Sequence, residues 1–131
     1  METYEWYQQL IRPDWAPPAW VFGPVWSVLY ILIAISFGAV FWKVIQKKLS
    51  SKIALPFVFN LVFNFAFTPI QFGLQNNVLA ALNILLVLVT MIWAFKAIWP
   101  HMRWVVYLNI PYLLWVSFAT ILQLTITFLN L

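Results

Sequence analysis

The chain has 131 residues, is 65% hydrophobic and only 8% charged, and carries nine Trp and twelve Phe. No soluble domain of this size hides that much apolar surface, so the solvent for most of the chain is lipid. The net charge of +4 comes from Lys and Arg confined to segment ends and loops, which suits anionic headgroups and not a nucleic-acid groove. With no cysteine, disulfides, thiol nucleophiles and thiolate metal sites are excluded.

Residues 1–18 form a polar and aromatic arm, and all three acids (Glu2, Glu5, Asp14) lie in it. Within it, Pro17 and Pro18 fix φ and remove backbone donors, giving a stiff extended entry to the first helix. Trp15 and Trp20 flank that pair and suit the hydrocarbon–headgroup boundary. The apolar run that follows is too long, and its lead-in too polar, for a cleavable signal peptide.

Four transmembrane helices are predicted, at about 19–42, 53–72, 78–99 and 104–129, each near the roughly 20 apolar residues a span requires. Short links make them antiparallel neighbours, so the expected fold is all-α: a single integral membrane helical bundle over residues 1–131. Continuous apolar runs, without strand-like alternation, disfavour an outer-membrane barrel. Lys43, Lys47, Lys48, Lys52, Lys96 and Arg103 all fall in the links on one face. The positive-inside rule then places both termini on the non-cytoplasmic side of a multi-pass protein, with the cell membrane as the expected location.

Polar groups inside the spans narrow the function. Asn60, Asn64, Thr68 and Gln71 recur at i, i+4, i+8 and i+11 on one helical face. Asn83 opens the third helix, and Asn109, Ser117, Thr120 and Gln123 punctuate the fourth. Interhelical hydrogen bonding accounts for the hydroxyls; for Asn64, near Phe67 and a kink-prone Pro69, a cavity is an equal reading. Phe22, Trp26 and Tyr30 share a face of the first helix, as Tyr112, Trp115 and the small Ala119 do on the fourth. Aromatic walls with a few amides fit a large, planar, mostly apolar ligand, although bundle packing would use the same residues. Ala34 and Gly38 form a helix-packing notch.

No acid or histidine lies within a span, so cation-coupled transport lacks an intramembrane carboxylate. An axially ligated haem has no ligand there either, since the lone His101 is in a link. Neither a metal site, nor a resident cofactor, nor a catalytic constellation is expected.

The run Arg-Pro-Asp-Trp-Ala-Pro-Pro-Ala-Trp-Val-Phe-Gly-Pro-Val-Trp-Ser-Val-Leu-Tyr from Arg12, preceded by Trp6 and Tyr7, resembles the signature of the translocator protein / tryptophan-rich sensory protein (TspO/MBR) family. The segment from Asn60 to position 72 and Ile-Pro-Tyr-Leu-Leu-Trp-Val-Ser-Phe-Ala-Thr from Ile110 agree with it. The resemblance implies a helical bundle, often dimeric, that binds protoporphyrin IX-type tetrapyrroles and isoquinoline-type drugs. It assigns pocket positions to Tyr7, Trp26, Tyr30, Asn64, Phe67, Trp115 and Ala119, and aligns the family's intramembrane acid with Asn83. Light-dependent porphyrin breakdown, known for some bacterial members, is the only reaction it suggests; the porphyrin is then ligand or substrate. The family normally has five spans, the first preceding the Trp-Tyr element. Counted from Met1, this chain is expected to lack that helix and to pair as a homodimer. The alternative is a non-catalytic assembly protein whose bundle another helix or chain completes.

Overall fold

In the computed structural model, residues 10–68 and 76–130 are described. A single 3₁₀ turn, Ala19–Val21, leads into α1 (Phe22–Ile45). Then follow α2 (Ser51–Thr68), α3 (Asn77–Ile98), α4 (Arg103–Leu108) and α5 (Ile110–Leu129). The described residues contain no strand, as the unbroken apolar runs require.

Each helix end has a local cause. At the end of α1, Lys47 adopts a left-handed φ of 61°. Its N–H donates to the Val44 carbonyl at 3.0 Å, and the Lys48 N–H donates to the Lys43 carbonyl at 2.9 Å. This is the Schellman closure that glycine usually makes; a side chain in that conformation costs about 1–2 kcal/mol. Asn76 caps α3 by accepting from the Leu79 N–H at 2.9 Å, satisfying one of the donors a helix start leaves open.

The expected fourth helix, 104–129, is broken. Pro111 has no N–H to give the Tyr107 carbonyl, so the ladder is interrupted at Asn109, between α4 and α5. The Asn109 side chain mends the break: its Nδ2 donates to the Val105 carbonyl and to Ser36 Oγ on α1, both at 2.7 Å. The expected helix at 53–72 starts two residues earlier, at Ser51. Its last four positions and Pro69 lie outside the described residues, as do Tyr7 and Gln71. The proline that does enter α2 is Pro56; the carbonyl it deprives is that of Lys52, at the exposed start of the helix.

Cross-helix contacts fix an up-down arrangement. Phe37 of α1 meets Phe57 of α2 with ring centroids 4.8 Å apart. Asn60 of α2 reaches Val87 and Thr90 of α3, while Asn83 of α3 donates to the Phe63 carbonyl at 2.8 Å. Rising number on one helix thus meets falling number on the next. Asn77 at the start of α3 lies against Thr127 near the end of α5, and Ser36 against Asn109.

The α2–α3 pair is the most extensively packed, followed by α3–α5, so α3 is the central rod. Its buried positions Ala80, Ile84, Val87, Met91, Ala94 and Ile98 follow the alternating three- and four-residue spacing of a left-handed bundle seam.

Three helices (α1, α3 and α5) are long and apolar enough to cross a membrane. The described part of α2 has 18 residues, about 27 Å at 1.5 Å per residue against a hydrocarbon layer of about 30 Å.

Candidate functional site

The polar stripe of α2 points into the bundle. Asn60 is 0% and Asn64 5% exposed. Lipid offers such amides no partners, so each must find them in the protein. Tyr112 of α5, itself 0% exposed, provides the meeting point. Its hydroxyl accepts from Asn64 Nδ2 at 2.8 Å and donates to Asn60 Oδ1 at 2.8 Å. Asn64 Oδ1 accepts from the Tyr30 hydroxyl of α1 at 3.1 Å. Asn60 Nδ2 donates to the Val87 carbonyl at 2.9 Å and to Thr90 Oγ1 at 3.2 Å. One chain of hydrogen bonds therefore runs Tyr30–Asn64–Tyr112–Asn60–Thr90 and touches α1, α2, α3 and α5.

Aromatic rings sit against that chain. Trp26 lies 5.4 Å from Tyr30 and 6.4 Å, edge-on, from Tyr112. Phe65 closes on Tyr30 at 5.9 Å. Trp26, Tyr30 and Asn64 are thus one cluster, with Tyr30 left 38% exposed at its rim. Phe67 is half-buried against the same core. Asn83, nearly two turns into α3, is held by its bond to the Phe63 carbonyl and joins α2 to α3.

Trp115 belongs to a second cluster, one helical turn along the seam between α1 and α5. It meets Phe22 at 5.9 Å and Phe118 at 5.5 Å, and Trp15 of the arm lies edge-on to Phe118 at 5.7 Å. The arm is pinned there by the Asn130 amide, which accepts from the Ile11 N–H at 3.1 Å and donates to the Ile11 carbonyl at 2.9 Å. An open, apolar groove of about 720 Å³ runs along this seam, lined by Pro17, Val25, Val28, Pro111, Leu114 and Trp115 among others. Of the expected pocket residues Trp115 lines this groove; Trp26 and Asn64 do not. Ala119 is half-buried on the next turn of α5. The indole N–H of Trp115 is buried and has no acceptor among the described residues. Such a donor in an apolar wall is costly until an acceptor meets it.

Sequence reasoning counted Tyr112 as an aromatic face and missed its hydroxyl as the hub. The signal was present, since a mid-span tyrosine needs partners and the two amides of α2 are the natural ones. Thr90 was missed entirely. No group of three or more His, Cys, Asp or Glu able to hold a metal ion occurs among the described residues.

Comparison with known proteins closes the question of kinship. The model of the TspO/MBR family matches residues 1–129. The chain is 36% identical over 127 residues to the uncharacterized membrane protein YtaB of Bacillus subtilis, covering 97% of this chain and 81% of that one. It is 30% identical to the tryptophan-rich protein TspO of Chlorobaculum tepidum, covering 95% and 78%. It is also 33% identical to the translocator protein of Homo sapiens, covering 93% and 73%. An apolar helical bundle with this extent of likeness is an integral membrane protein, and the chain belongs to the TspO/MBR family.

Proposed function

We infer that this protein is a membrane receptor for flat, mostly apolar tetrapyrroles of the protoporphyrin IX type, held along the α1–α5 seam. The observation that carries the reading is the apolar groove of about 720 Å³ lined by Trp115, whose indole N–H is buried and has no acceptor among the described residues. That volume suits a ligand of this size. Trp26 does not line this groove and joins the proposed site through the family resemblance. Tyr7, outside the described residues, belongs to the proposed site through the family resemblance alone. The bundle spans the bilayer four times in this reading, with α2 as the short span and α4 with α5 as one broken rod.

Two amides of the stripe that would have needed another chain, Asn60 and Asn64, are satisfied internally. That weakens the assembly-protein alternative and removes the stripe as a reason for dimerisation. A homodimer is supported instead by Ala34 and Gly38, which face outward from α1; a Cβ added at Gly38 meets nothing within 4 Å. Small residues on a lipid-facing surface let a second helix approach closely.

Four measurements test the reading. Trp26→Phe and Trp115→Phe are each expected to weaken protoporphyrin IX binding about three- to tenfold in a fluorescence-quenching titration, through lost stacking and the lost N–H. Unchanged affinity in both moves the site elsewhere. Illuminating the same complex reveals whether bound porphyrin is degraded. Gly38→Leu is expected to shift the mass in mild detergent from dimer to monomer; a monomeric parent protein removes the dimer from the account. Lys43, Lys47, Lys48, Lys52, Lys96 and Arg103 lie toward one end of the up-down bundle, which by the positive-inside rule supports both termini outside the cytoplasm. A tag after Leu131 should therefore be reached by an impermeant label in intact cells, and labelling only after lysis reverses the orientation.

A further inference from the structure

A second groove, of about 410 Å³, opens at the cationic end of the bundle, far from the α1–α5 seam. Its walls are Ile92, Phe95, Lys96 and Trp99 from the end of α3, Val106 from α4 and Leu113 from α5. The floor is apolar and the rim is not. Lys96 lines it directly, and the Arg103 guanidinium lies 4.9 Å from the centroid of the Trp99 ring. The edge-on contact of Tyr107 with Trp99, at 5.7 Å, steadies that ring. Arg103 thus has a favourable resting place over an aromatic face.

These cations have no obvious counter-charge in the helices. No acid follows Asp14 in the sequence. The arm that carries Asp14 is clasped through Ile11 to Asn130, at the opposite end of the bundle. Lys96 in the groove wall, with Arg103 against Trp99 of the same wall, sets two positive groups beside an apolar channel, a combination complementary to one kind of molecule. We propose that this groove is a binding site for an anionic phospholipid, with the phosphate between Lys96 and Arg103 and one acyl chain along Phe95, Val106 and Leu113. Lipid tails surround the protein everywhere, so the apolar channel by itself selects nothing. Selection comes from the charge: a zwitterionic headgroup carries its own cation and gains less from the pair.

Native mass spectrometry of the protein in mild detergent, with phosphatidylglycerol or phosphatidylcholine of equal acyl composition, tests the site. One phosphatidylglycerol is expected to stay bound under conditions that strip phosphatidylcholine. The exposed double variant Lys96→Gln with Arg103→Gln should weaken phosphatidylglycerol retention about ten- to thirtyfold. Lys43→Gln with Lys52→Gln removes the same charge from the same end and should change retention less than about twofold. Val106→Phe keeps both cations but fills the channel, and should also release the lipid. Equal losses from the two charge pairs would show a diffuse attraction and overturn the site. So would full retention in Val106→Phe, or displacement by soluble glycerol phosphate at the lipid's own affinity, since either leaves the channel without a part.

Discussion

The rest of the bundle depends on the Tyr112 hydroxyl. Among the described residues it alone touches both buried amides of α2 at once, accepting from Asn64 and donating to Asn60. In a bilayer the apolar faces of these helices give little reason to prefer each other over lipid, because acyl tails are as apolar as Leu. Polar pairing and close packing set the register instead. One hydroxyl and two amides fix α5 against α2, Tyr30 ties in α1, and Thr90 ties in α3. Each link is modest, about 0.6–2 kcal/mol, but an amide left alone in this interior costs more than its bond returns. Specificity of assembly thus follows from satisfying every member of the chain together.

That arrangement also sorts the two uses of the interior. The polar chain fills the space between α2, α3 and α5. Among the described residues, two grooves lie along seams that the chain does not reach: the α1–α5 groove under the arm and the smaller groove at the cationic end. Both are apolar, and the one at the cationic end has Lys96 in its wall. Asn109 shows the same economy at the helix break, where its amide donates both to the Val105 carbonyl of its own helix and to Ser36 on α1.

Much of this was legible in the residues. Composition and charge placement announced a membrane bundle, and the i, i+4 spacing of Asn60 and Asn64 announced an inward polar face. The aromatic faces of Phe22, Trp26 and Tyr30 and of Tyr112 and Trp115 do meet along one seam. What could not be read was which partners the amides would choose. Hydrophobic periodicity cannot show that Asn64 uses both ends of its amide on Tyr30 and Tyr112. The break at Asn109 was readable but overridden, because a long apolar run masks a proline near its start. Helix α3, which holds the bundle's centre, is apolar on nearly every face, so its burial comes from its neighbours and leaves no pattern of its own.

The most direct test of this account is a double-mutant cycle between Tyr112→Phe and Asn64→Ala, read as free energies of detergent-driven unfolding. Tyr112→Phe keeps the ring and removes only the hydroxyl, so the cycle isolates the link between α5 and α2. The account predicts that the two losses overlap, with a coupling of about 1 kcal/mol. Losses that add to within about 0.3–0.5 kcal/mol, the range of independent sites, would contradict it.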